Sequence, residues 1–179
     1  MSTGQHPLSD TKRVARIKAL IHDIDVVVCM YPFAFVFQQL AKVIGMDSAK
    51  SRHFFSTRQE TLSVLKQAKA PHLVLISEQL NDGSGLDLLR EIKRMNPGHR
   101  CIVVLNQNSV SSPRLARQLH ADACIAETSL QERTGVLIEA LKAVQGGKTF
   151  MDPRLQKPNP SGHLAHGQPL SERQHEILR

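Results

Sequence analysis

The chain has no run approaching the roughly 18 consecutive apolar residues that span a bilayer, and its first ten residues, MSTGQHPLSD, lack the apolar core of a secretory signal. No membrane association is expected, and cytoplasmic residence follows. Also missing are a glycine-rich phosphate loop, a Ser/His/Asp order and a cluster of metal ligands, so nothing points to an enzyme, a metal or a bound cofactor. His163 and His166 lie close together but have no other ligand type nearby, too little for a metal site. Cysteines are few and odd in number: Cys29, Cys101 and Cys124, all inside strand-like runs, read as buried free thiols. At 179 residues the chain can bury a core without disulfides.

What is present includes a formal net charge of +7, placed mainly at the ends. Residues 1–22 carry Lys12, Arg13, Arg16 and Lys18 against Asp10, a local +3; residues 23–146 carry 14 basic and 12 acidic side chains, or +2; residues 147–179 add five against three, another +2. Such an excess suits a polyanion such as nucleic acid, and equally suits a solvated basic surface.

The organising stretch is Leu73 to Ile92, LVLISEQLNDGSGLDLLREI. Leu73 to Ile76 are consecutive aliphatics, as in a strand buried on both faces of a parallel sheet. Asn81 to Gly85 gather turn formers, and Leu86, Leu89, Ile92 and Met95 then recur at helical spacing. In open α/β sheets the site lies beyond the carboxyl ends of the strands, which puts Ser77 first in line.

The rest of residues 23–146 repeats this alternation. Residues 11–22 place Val14, Ile17, Leu20 and Ile21 on one face of an amphipathic helix that packs on the domain or on a second protomer. Val26–Cys29 make a first strand, and Phe33, Val36, Phe37, Leu40, Val43 and Ile44 the apolar face of a helix opened by Pro32 and closed by Gly45. A second strand covers about Arg52 to Phe55, and Thr57 with Glu60 forms a capping box. Asn96-Pro97-Gly98 stops the helix after strand three, Cys101–Leu105 give strand four, Ser112-Pro113 open a short helix, and Ala123–Ala126 give strand five. Ser129 and Glu132 are expected to cap a last helix carrying Leu130, Leu137, Leu141 and Val144, ended by Gly146-Gly147. From Gly147 to Pro169 the composition turns to Gly, Pro, His and Lys, which reads as a linker.

The stretch from Leu73 to Leu89 resembles the third strand and loop of a response-regulator receiver domain, with Ser84-Gly85-Leu86 in the place of that family's Asp-Gly-Leu. The resemblance covers residues 24–146 and implies a flavodoxin-like (βα)5 fold, with a parallel five-stranded sheet in the order 2-1-3-4-5 and an added amino-terminal helix. In that order Cys29 and Cys124 are about 14 Å apart, and Cys101 and Cys124, two residues out of level on neighbouring strands, about 8 Å, beyond disulfide reach.

The family's phosphorylation chemistry needs an aspartate nucleophile, two acidic residues that hold Mg²⁺, a Thr or Ser hydroxyl and a Lys. The matching positions here are Ser77, Cys29 with Met30, Asn106 and Glu127, and none supplies what its place requires. Glu78 and Asp82 are near in sequence, but strand alternation points Glu78 away from Ser77. The final residues, Leu170 to Arg179, resemble the opening of a LuxR-type helix-turn-helix domain, with Gln174 in place of a Glu; about three further helices of that domain, including the DNA-reading one, are expected beyond them. Together these resemblances imply an atypical, phosphorylation-independent response regulator. It would act as a homodimer or through a protein partner, and bind DNA through the remainder of that domain. The alternative is a redox, small-molecule or docking module using the crevice around Cys29.

Overall fold

The computed structural model describes residues 10–32, 50–106, 108–132 and 134–156. The helix expected from Phe33 to Ile44 with its stop at Gly45, the later part of the linker and the segment Leu170 to Arg179 lie outside the described residues.

Four apolar runs form the central ladder. Val26–Cys29 (β1), Leu73–Ser77 (β3), Arg100–Leu105 (β4) and Ala123–Ala126 (β5) are almost wholly buried, as a sheet covered on both faces demands. The weaker run Arg52–Phe55 (β2) is only half-buried and pairs outside β1. All pairings within this sheet are parallel, with Cys29 level with Ile76, Ser77 with Val104, and Cys124 with Val103, so the carboxyl ends of β1, β3, β4 and β5 form one rim. The order is β2-β1-β3-β4-β5, continued by a sixth strand, Phe150–Met151 (β6), parallel to β5.

That sixth strand corrects the expected five-stranded sheet and the linker start at Gly147. Gly147 takes a left-handed turn (φ +69°), and the amide of Lys148 closes on the Ala143 carbonyl at 2.8 Å, which ends the preceding helix and aims the chain back along β5. Phe150 and Asp152 then donate their amides to the Asp122 and Cys124 carbonyls at 3.0 and 2.9 Å. Asp152 is 2% exposed; its carboxylate accepts from the Ala126 amide at 3.1 Å and the Arg154 amide at 2.9 Å, pinning the 3₁₀ turn Pro153–Leu155 to the sheet.

The helices divide between the two faces. Arg58–Lys66 (α2), Gly85–Met95 (α3) and Ser112–Gln118 (α4) bury Leu62, Leu65, Leu88, Leu89, Ile92 and Ala116 against one face. Asp10–Ile21 (α1) and Thr134–Gln145 (α6) pack Ile21, Ala140, Leu141 and Val144 on the other. Of the two expectations for the amino-terminal helix, packing on its own domain is the one observed. Its last carbonyls are taken by side chains from within the domain: the Arg52 guanidinium donates to Ile21 O at 2.6 Å, and to Ile24 O in the turn that follows, and Gln145 donates to Leu20 O.

Thr57 caps α2 as expected, its hydroxyl accepting from the Glu60 amide at 3.3 Å. The cap assigned to Ser129 is not formed. A short helix, Glu127–Glu132 (α5), begins directly after β5, which leaves Ser129 inside it with a buried hydroxyl that has no partner among the described residues.

Candidate functional site

Beyond the carboxyl rim lies a crevice of about 350 Å³, lined by Met30, Tyr31, Ser77, Glu78, Asn106 and Glu127 together with Gln79, Val104, Asn108 and Ser109. Each side chain arrives because its strand ends there: Met30 follows β1, Ser77 closes β3, Asn106 follows β4, and Glu127 opens α5 at the end of β5. Gly85 makes the junction possible. A Cβ on it would stand 1.9 Å from the Ser77 carbonyl oxygen and 2.9 Å from the Ile76 side chain, so the start of α3 packs against β3 only with glycine there.

Four of the five residues expected to share a pocket therefore do so: Met30, Ser77, Asn106 and Glu127. Cys29 does not. Alternation along β1 turns it to the opposite face, among Leu62, Leu65 and Ile76, where it is fully buried and its thiol lies 3.4 Å from the Thr57 carbonyl. Burial pushes this thiol up to about 11, with Asp82 and Glu60 adding in the same direction against a hydrogen bond to Thr61. A thiol held protonated is a poor nucleophile and a poor redox centre, which removes the role expected for Cys29. Cys101 and Cys124 are also buried free thiols, both pushed up to about 12 by burial.

Ser77 is 8% exposed and its hydroxyl is already engaged, donating to Gln79 O at 2.6 Å and accepting from the Tyr31 amide at 3.2 Å. Glu78 lines the crevice beside Ser77 instead of facing away, because the strand ends at Ser77 and strict alternation ends with it. Its carboxylate accepts from the Asn106 amide at 2.8 Å and from the Ser112 hydroxyl, which also lies 2.5 Å from the Ser109 hydroxyl. Glu78 thus ties the end of β3 to the loop and first turn of α4. The sequence offered no spacing signal for this tether, since its partners lie 28 and 34 residues away.

Mg²⁺ requires hard oxygen ligands in near-octahedral array. The rim offers a thioether at Met30, an amide at Asn106, the carboxylate of Glu127 and the committed carboxylate of Glu78. Asp82 caps α2 instead, accepting from the amides of Arg58 at 2.7 Å and Gln59 at 3.1 Å; burial alone would raise its carboxyl, but those amides hold it below the ordinary range. The donor set does not fit the ion, and no group of three metal-ligating side chains occurs among the described residues.

No protein-family model and no curated protein matches the sequence. Solved structures do match in fold. The isolated receiver domain of RcsB from Salmonella enterica serovar Typhimurium, with phosphomimetic BeF3-, superposes with a TM-score of 0.59 at 20% identity, over 74% of this chain and 96% of that one. A LuxR family DNA-binding response regulator from Silicibacter pomeroyi gives 0.55 at 19%, over 73% and 98%. A CheY-like receiver domain protein from Methanospirillum hungatei gives 0.53 at 18%, over 70% and 99%. The flavodoxin-like receiver architecture is common to all three and to this chain.

Proposed function

We propose that this chain is the receiver-like regulatory part of a LuxR-type transcription regulator that works without phosphorylation at Ser77, transmitting its state through dimerisation or a protein partner. One observation carries the reading: the position that would accept a phosphoryl group is a serine closed by two hydrogen bonds, and the neighbouring Glu78 already holds the β4–α4 loop through Asn106 and Ser112. In a receiver fold that loop is where a phosphoryl group would act; here an internal carboxylate occupies it. Supporting observations are a donor set unsuited to Mg²⁺ and a carboxylate, Glu127, where a cation would be needed to neutralise the incoming charge. The DNA-binding part of the proposal rests on Leu170 to Arg179 and on the fold neighbours, one of which is described as RcsB dimers bound to DNA.

Intact-mass spectrometry after incubation with acetyl phosphate and Mg²⁺ tests the reading. Neither the native chain nor Ser77→Asp should gain a phosphoryl group, because each missing element of charge stabilisation costs about 3 kcal/mol of barrier. A phosphoryl adduct on the native chain would overturn phosphorylation independence, and one on Ser77→Asp would show that the rim, through Glu78 or Asp82, can hold Mg²⁺.

A further inference from the structure

A second cavity, of about 760 Å³, lies away from the rim, between the carboxyl-terminal ends of α3 and α4 and the strands β5 and β6. It exists because of the sixth strand. β6 widens the sheet beyond the last helix on that face, α4, so Cys124 and Met151 form an apolar floor with α4 on one side and the Pro97 turn on the other. The volume falls in the range of metabolite-binding sites, about 300–1,000 Å³.

The charges in its wall are unequal in kind. Lys93 is spent: its ammonium lies 2.7 Å from the Asp122 carboxylate and 2.7 Å from the His99 carbonyl, and the same Asp122 oxygen accepts from the Cys101 amide at 2.7 Å. Arg117 and His120 are exposed, and neither side chain has a hydrogen-bond or ion-pair partner among the described residues. His120 is also held in place, since its left-handed backbone (φ 61°) is fixed by a 3.0 Å bond from its amide to the Arg117 carbonyl. A cationic donor and an imidazole donor, the latter on a fixed backbone, thus stand over an apolar floor.

We propose that this cavity binds a small organic carboxylate with a flat or short apolar body. Its charged end meets Arg117 and His120, and its body lies on Cys124 and Met151. A planar guanidinium engages a carboxylate through two parallel hydrogen bonds, and no hydrogen bond or ion pair of Arg117 among the described residues has to break for it to do so. The apolar floor supplies the rest by burial. The site lies at the opposite end of α4 from Glu78, so it does not depend on the phosphorylation-independent reading of the rim.

The test is an amide NMR titration of the full chain with naphthalene-2-carboxylate, alongside its uncharged counterpart 2-naphthalenemethanol. Saturable shifts are expected at Ala121, Cys124 and Thr149 to Met151, with the alcohol binding at least about tenfold more weakly. Arg117→Gln should lose about tenfold in affinity and His120→Asn a smaller factor, while Arg114→Gln, on the same helix but outside the cavity, keeps native affinity. Because the Arg117 side chain has no internal partner, unchanged melting of Arg117→Gln will show that the fold is intact. Shifts spread over the surface, equal binding of acid and alcohol, or equal losses in the Arg114 and Arg117 variants would each overturn the proposal.

Discussion

Gly85 and Glu78 set the geometry of the rim from opposite sides, one by having no side chain and the other by using all of its carboxylate. Gly85→Ala forces a Cβ into the Ser77 carbonyl and should cost about 3 kcal/mol or more, read as a lowered urea midpoint. Glu78→Ala leaves the Asn106 amide and Ser112 hydroxyl without their acceptor; a stability loss of about 1.5–3 kcal/mol and faster hydrogen exchange at Asn106 to Ser112 should follow, and unchanged exchange there would refute the tether. His99 gives a pH signature. It is 1% exposed and its Nδ1 accepts from the His72 amide at 2.9 Å, which places the proton on Nε2; burial, then His72 and Lys93, lower its pKa. The unfolded chain takes up a proton near the ordinary value of about 6.5 while folded His99 resists. Stability is therefore fully present above that pH and declines as pH falls through it toward the lower folded value. Urea titrations at neutral pH and below 6 should differ in this sense, and His99→Asn, which keeps an acceptor but does not titrate, should flatten the difference. At this scale the sequence was legible for residue identity at the rim. It was not legible for direction: alternation through Cys29 and past Ser77 decides which side chains meet, and the expected pocket was wrong about both Cys29 and Glu78.

Elements were more legible, because each buried parallel strand is a nearly uninterrupted apolar run and each covering helix repeats its apolar residues every three or four positions. Val26–Cys29, Ala123–Ala126 and even the polar-flanked Arg52–Phe55 stand where those patterns put them. The sixth strand was hidden for a physical reason. Phe150–Met151 is two residues long, follows two glycines and precedes Pro153, so its local signal is that of a linker, and it is held by a side chain remote from any pattern. Asp152→Ala should expose the amides of Ala126 and Arg154 and release β6, at about 1–3 kcal/mol, with lost exchange protection at Phe150 and Asp152 as the direct readout. Arg52 plays the matching part for α1, and Arg52→Ala should loosen that helix selectively.

For the whole molecule, the added helix is part of the covering layer. A chain beginning at Asp23 should melt earlier, since Ile17, Leu20 and Ile21 no longer cover the α6 side, yet light scattering should give the same number of protomers as the intact chain. A drop in that number would make α1 an interface between copies. Residues 1–179 should also show only weak, salt-sensitive attraction to duplex DNA in a mobility shift at ~150 mM salt, because +7 spread toward the ends reads no bases. The sixth strand has one more consequence, for solubility. Without it, β5 would end the sheet with the sequence Ala-Cys-Ile-Ala, buried-type side chains and a row of open amides and carbonyls, an edge able to template another chain. Phe150, Asp152 and the Asp152 carboxylate occupy the Asp122 and Cys124 carbonyls and the Ala126 amide in turn. A chain cut after Gly147 should therefore keep most of its fold and still precipitate on concentration, with a thioflavin response that the chain extended to Gln156 lacks.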